Sequence, residues 1–171
     1  GGTVQKFGLL ADTVHSMDVV TGTGELVTVS ASARPDLFHS ILSGGGQTAI
    51  ILRAKVKLAP APQRSVVFSL FYDDLATYLA DGEKVMAENR FHVQAGEMLR
   101  RPDDTGWRYK MEVAANYSGT AVPDRAALLA GLRDNRAQAV VEDVAYRDYM
   151  FRLDGYEVYL KETGHWFQPK P

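Results

Sequence analysis

The sequence predicts an α+β chain built in two parts, residues 1–62 and 63–171. Three observations predict it. Strand-like segments crowd the first sixty residues but do not suffice to close a core of their own. The run Ala59-Pro60-Ala61-Pro62 puts two prolines in four residues, which breaks any regular element and stiffens the chain. Beyond that run the pattern changes to a regular β-α-β-β-α-β order.

The elements follow in order. Asp12 to Thr21 (DTVHSMDVVT) and Glu25 to Ser30 (ELVTVS) are β-rich and flank Gly22-Thr23-Gly24, so they read as a hairpin. Asp36 to Leu42 follows Pro35 and reads as a short helix with proline in its first turn, stopped by Ser43 and three glycines. Ala49 to Leu58 alternates Ile51, Arg53, Lys55 and Lys57 against Ile50, Leu52, Ala54, Val56 and Leu58, the pattern of a half-buried strand.

After the prolines, Ser65 to Tyr72 (SVVFSLFY) is a strand. Asp74 to Asn89 is a helix carrying Leu75, Tyr78, Leu79, Val85 and Met86 at helical spacing. Arg90 to Met98 and Trp107 to Tyr117 are strands, the second with Trp107, Tyr109, Met111 and Val113 on one side. Pro123 to Arg133 is a helix and Gln138 to Asp143 a strand. That order is the split βαβ, or ferredoxin-like, pattern. A last helix is expected from Arg147 to Glu162, striped by Tyr149, Leu153, Tyr156 and Leu160.

Composition excludes several classes of function. With 46% apolar and 23% charged residues the balance is that of a globular chain. A net charge of −2 gives no field that would gather nucleic acid. The absence of cysteine removes disulfides, thiolate metal sites and a cysteine nucleophile. No apolar run reaches the roughly 18 residues of a membrane span. His15, His39, His92 and His165 are dispersed and make no metal-ligand spacing, so no metal site is expected. Asn116-Tyr117-Ser118 fits a glycosylation acceptor, a tripeptide common by chance. The compartment stays open between cytoplasm and secretion. Because the chain opens on Gly1-Gly2 without a methionine, sequence is expected upstream.

Two places invite a functional reading, each beside a plainer one. Gly44-Gly45-Gly46-Gln47 precedes a strand, and glycines let backbone approach a bulky ligand; the same run serves as a helix C-cap and tight turn. Glu157, four residues after Leu153 and three before Leu160, falls on or beside the apolar stripe. There a carboxylate is paired, held at the stripe's exposed edge, or set in a pocket for a polar substrate group. The dense aromatic set around it, Tyr146, Tyr149, Tyr156, Tyr159, Trp166 and Phe167, suits either a planar ligand or a core.

A resemblance adds what spacing cannot. ADTVHSMDVVTGTGELVTVS followed by PDLFHSILSGGGQTAIILRAKVKLAPAP resembles the closing part of the FAD-binding domain of the vanillyl-alcohol-oxidase, or PCMH-type, flavoproteins. VEDVAYRDYMFRLDGYEVYLKETGHWFQPKP resembles the substrate domain of cytokinin dehydrogenases. The family's glycine loop usually carries an aromatic and a glycine where this chain has Gln47, Thr48 and Ala49, and Lys170 stands at an expected histidine.

The resemblance implies that residues 1–62 are the C-terminal portion of the FAD-binding domain and 63–171 the N-terminal portion of the substrate domain. It implies FAD as cofactor, with the backbone of Ile51 against it, Gly45, Gly46 and Gln47 in the loop beside it, and Gly1 and Gly2 at the end of a flavin-contacting segment. It implies substrate contact at Glu157 or its neighbour Tyr156. The flavin-linking histidine and the catalytic aspartate would lie upstream of Gly1, so no catalytic residue is expected within the chain. The implied reaction is oxidation of a CH–NH group by hydride transfer to flavin, with oxygen or a quinone as electron acceptor. The alternatives are a sugar or alcohol oxidase of the same superfamily, berberine-bridge-like, and a non-catalytic ferredoxin-like interaction module.

Overall fold

The computed structural model describes residues 8–101, 103 and 105–167. They form two compact units that divide after Pro60.

The first unit is a three-stranded antiparallel sheet of order β2-β1-β3 with one helix. Strands β1 (Val14–Thr21) and β2 (Leu26–Ser30) form the expected hairpin. Its turn closes through Thr21, whose N–H donates to the Glu25 carbonyl at 3.0 Å, with Gly24 at φ 83°. Helix α1 (Pro35–Ile41) carries Pro35 in its first turn and lays Phe38 and Ile41 on the sheet. The core there is Met17, Val19, Val27, Val29, Phe38, Ile41 and Ala49.

Strand β3 (Ala49–Val56) departs from the sequence expectation in two respects. It is not half-buried: Ala49 is its one buried residue, and Ile50, Ile51, Leu52 and Val56 are all exposed. Nor is its alternation continuous. Arg53 lies opposite Asp18 and Ile51 opposite Val19, so Leu52 is an extra residue without a partner. This β-bulge puts Ile51 on the core face with Val19 and leaves Arg53 on the other face, where it meets Asp18 at 3.6 Å. A second irregularity, at His15 on β1, lies at the far end of the same ladder.

The second unit is a four-stranded antiparallel sheet of order β5-β6-β4-β7. Its strands are β4 (Arg64–Tyr72), β5 (Val93–Arg100), β6 (Trp107–Tyr117) and β7 (Val140–Ala145). Central β4 is apolar on both faces. Val66, Phe68, Leu70 and Tyr72 join Met111, Val113, Val85, Phe91 and Leu129 in the main core, and Val67 packs opposite with Ala114 and Tyr149.

Helix α2 (Leu75–Ala87) is capped by Asp74, whose carboxylate accepts from the Thr77 N–H at 2.7 Å. Only part of the predicted stripe, Tyr78 and Val85, faces inward. Leu75, Leu79 and Met86 are exposed, while Tyr78, Asp81, Gly82 and Val85 meet the sheet or the chain beyond it. At Gly82 a Cβ would meet the Gln94 amide nitrogen at 3.4 Å and the Met111 methyl at 3.5 Å, ordinary contact distances.

Two helices end earlier than the pattern suggested. Helix α3 (Arg125–Leu129) stops where Ala130 leaves helical geometry at φ −58°, ψ 131°; Gly131 follows at φ 66°, and Arg133 beyond it meets Asp81. The expected helix from Arg147 to Glu162 is two: α4 (Tyr146–Met150) and α5 (Asp154–Glu162). Between them Arg152 reaches back to the Tyr149 carbonyl at 3.0 Å, a group that a continuous helix would use, and to Glu112 of β6 at 2.7 Å.

Candidate functional site

The glycine segment joins α1 to β3. The helix ends with the Gly44 N–H donating to the Ile41 carbonyl at 3.0 Å and Ser43 at φ 60°. Gly44 is required by that ending, because a Cβ on it would stand 2.4 Å from the Ser40 carbonyl oxygen. Gly45 and Gly46 differ. They take φ 62° and 77°, and nothing lies within 4 Å of where a Cβ would stand on either. Their backbone is left-handed and faces open space. Gln47 follows, exposed, its N–H donating to the Gly44 carbonyl at 3.2 Å.

The structure brings Gly46 and Ile51 together. With Ile41, Gly44, Thr48 and Ala49 they line a recess of about 20 Å³. That volume accepts a water or one small group, not a ring system. Beside the recess the backbone is bare at Gly45 and Gly46 and Ile51 is exposed. Gly1 and Gly2 lie outside the described residues.

Tyr156 and Glu157 lie on α5, which buries no residue. The interior-facing stripe expected there is corrected: Leu153, in the turn before α5, and Tyr156 are 61% and 58% exposed. Glu157 is exposed and binds Lys161 at 2.5 Å, one helical turn on. Its carboxylate thus escapes the desolvation that a pocket would impose, and the pair contributes only about 0.3–0.5 kcal/mol. Tyr156 stacks on Tyr159 with ring centroids 6.2 Å apart.

Sequence reading missed two polar clusters in the second unit. The first surrounds Asp81, 1% exposed, which accepts from the Arg133 N–H at 2.6 Å and from the Arg133 guanidinium at 2.9 and 2.8 Å. Beside it a cleft of about 210 Å³ opens between Tyr72–Asp74, Thr77 and the Arg133–Asn135 turn. Two of its carboxylates are already paired: Asp134 binds Arg136 at 2.7 Å and Asp73 binds Arg101 at 2.6 Å. Burial, then the nearby Asp81, pushes the Tyr72 hydroxyl well above its ordinary range, so it stays protonated. The usable signal was a charged residue, Asp81, on a helix face flanked by Tyr78 and Val85. In the second cluster Glu112 accepts from Tyr149 at 3.0 Å and from Arg152 at 2.7 Å, fixing α4 to the sheet. Burial, then Glu112, raises the Tyr149 hydroxyl likewise. Among the described residues no group of His, Asp and Glu converges as metal ligands, and no helix is long and apolar enough to cross a membrane.

No family model matches the chain. Relatives match it throughout. An uncharacterized oxidoreductase, ORF5 in the fasciation locus of Rhodococcoides fascians, is 34% identical over 172 residues, which cover 100% of this chain and 39% of that protein. Cytokinin dehydrogenase 2 of Arabidopsis thaliana is 30% identical over 198 residues, covering 100% of this chain and 40% of its own length. The chain is a homologue of the cytokinin dehydrogenases. It spans about two-fifths of the length of these relatives. Its fold is also that of solved oxidases. A xylooligosaccharide oxidase from Myceliophthora thermophila C1, in complex with xylobiose, superposes with a TM-score of 0.67 at 20% identity, over 86% of this chain and 32% of that one. A carbohydrate oxidase from Microdochium nivale gives 0.63 at 20% identity, over 89% and 33%. The mixed α+β architecture with two antiparallel sheets matches part of those oxidase folds.

Proposed function

We propose that this cytokinin-dehydrogenase homologue is a segment of an FAD-dependent oxidoreductase. Residues 1–62 would be the end of the flavin-binding domain and 63–171 the start of the substrate domain, the latter a ferredoxin-like module. The β-α-β-β-α-β order and the antiparallel strand order support that reading of the second part. The observation that carries the flavin reading is the open glycine backbone at Gly45 and Gly46 beside Ile51, in a chain homologous to cytokinin dehydrogenases along its whole length. FAD would take the hydride and pass the electrons to oxygen or a quinone, while the protein positions cofactor and substrate. No residue of this chain is proposed as catalytic.

The substrate would be a small molecule oxidised at a CH–NH group, with contact at Tyr156 or Glu157. The second reading is oxidation of a sugar or alcohol, favoured by the fold shared with two carbohydrate oxidases. Purified full-length protein is expected to be yellow, and a cytokinin added without oxygen is expected to bleach the flavin. Bleaching by xylobiose instead would establish the second reading. A full-length protein without flavin would overturn both and leave a non-catalytic module. The isolated 171-residue chain is expected to be colourless, because cofactor affinity depends on many converging contacts.

A further inference from the structure

We propose that the backbone bulge at Leu52 in β3 serves the cofactor wall rather than the fold. The inference rests on the reading that Gly45, Gly46 and Ile51 line an FAD site. Adjacent residues of β1, Asp18 and Val19, face residues two apart on β3, Arg53 and Ile51. Leu52 is left over, so the ladder is interrupted and the strand bends and twists there.

The fold shows no need for that residue. The side chain is 54% exposed and belongs to none of the core clusters among the described residues. Removing it would leave Arg53 opposite Asp18, Ile51 opposite Val19, Ile50 opposite Val20 and Ala49 opposite Thr21. Every one of those side chains would keep its present face, because strand faces alternate with period two. What would change is the bend and twist of β3 beside the recess that Ile51 lines with Ile41, Gly44 and Gly46. An internal comparison exists. His15 makes the other irregularity of the same ladder, between the Val14–Val56 and Ser16–Lys55 pairs, and is exposed too. It does not line the recess.

The test uses the full-length protein in three forms: deletion of Leu52, Leu52→Ala, and deletion of His15. Flavin per polypeptide, the visible flavin spectrum and thermal unfolding are measured on each. Deletion of Leu52 is expected to lower flavin content roughly tenfold and to shift the spectrum of what remains, with unfolding still cooperative and close to wild type. Leu52→Ala keeps the bulge and is expected to keep the flavin, as is deletion of His15. Wild-type flavin and spectrum after deletion of Leu52 would overturn the proposal. So would loss of cooperative unfolding in that variant, which would make the bulge structural. Flavin loss in Leu52→Ala would assign the effect to the side chain, against the proposal, and equal flavin loss on deleting His15 would make it a general property of the sheet. Absence of flavin from the wild-type protein would sink the FAD reading itself, a result separate from any of these.

Discussion

The backbone N–H and the guanidinium of Arg133 both donate to the carboxylate of Asp81, at 2.6 Å and at 2.8–2.9 Å. One residue thereby ties the turn after α3 to the middle of α2. Removing the arginine side chain leaves a buried carboxylate with one backbone donor. Arg133→Ala is expected to destabilise the second unit by about 2–3 kcal/mol, below the figure for a fully buried pair because the arginine side chain is 58% exposed. Urea unfolding measures it, and a change under about 0.5 kcal/mol would show that water replaces the guanidinium.

Gly96 sits under the Tyr78 hydroxyl, and a Cβ added there would stand 1.9 Å from that oxygen. Tyr78 cannot swing freely, since it stacks on Tyr109 at 5.7 Å and meets Tyr72 edge-on at 5.7 Å. Gly96→Ala is expected to cost about 1–3 kcal/mol by overpacking. The double variant with Tyr78→Phe, which removes the oxygen, should recover part of that loss.

Acid should weaken the second unit through its caps. The Thr77 N–H, then its hydroxyl, hold the Asp74 carboxyl below its ordinary 3.8. A carboxyl lowered on folding contributes its stability fully above the unfolded value and loses it as pH falls through the folded one. The contribution of Asp74 is therefore present at pH 5 and fades below about pH 4. Asp74→Asn still caps but does not titrate. Its unfolding midpoint should fall less steeply than wild type as pH drops below about 4, and parallel curves would remove Asp74 as a source of the acid sensitivity.

In the full-length protein, Gly46→Val should reduce flavin content more than it reduces the stability of residues 63–143. A β-branched residue at φ 77° is strained, and its side chain would project into the open side of the turn. Equal loss of both would mean that the segment is a structural turn alone.

At α5, Glu157→Gln should change stability by under about 0.5 kcal/mol, as befits an exposed pair with Lys161. A substrate role would appear as a roughly tenfold rise in KM or fall in kcat at unchanged flavin content, for Glu157→Gln or for Tyr156→Phe. If neither variant moves the kinetics, this segment does not contact substrate.

The parts legible in the sequence were those fixed by local chemistry. The Gly22–Gly24 turn, Pro35 at the start of α1 and the period-two run from Trp107 to Tyr117 each carry their signal within a few residues. What could not be read depended on distant partners. On α2, apolar spacing found Tyr78 and Val85 but also named the exposed Leu75, Leu79 and Met86, and it missed the buried Asp81, whose partner Arg133 lies fifty-two residues later. The bulge at Leu52 is visible only from its pairing with β1. Between α4 and α5, Arg152 reaches Glu112 on β6. At the candidate site the glycine run was picked out from its residues and Ile51 from resemblance, and their common recess emerged from the fold. For Glu157, helical spacing placed the residue beside a stripe, but a stripe is buried only where something packs on it.

The distribution of aromatic rings has an optical consequence. The two tryptophans, Trp107 and Trp166, are 44% and 50% exposed, whereas Tyr72 and Tyr149 are buried and Tyr78 and Tyr109 are stacked. Indole emission from this chain should therefore already resemble that of hydrated tryptophan in the native state and shift little on denaturation. The near-ultraviolet circular dichroism of the tyrosines, clustered in the second unit, is the signal that will report loss of its packing.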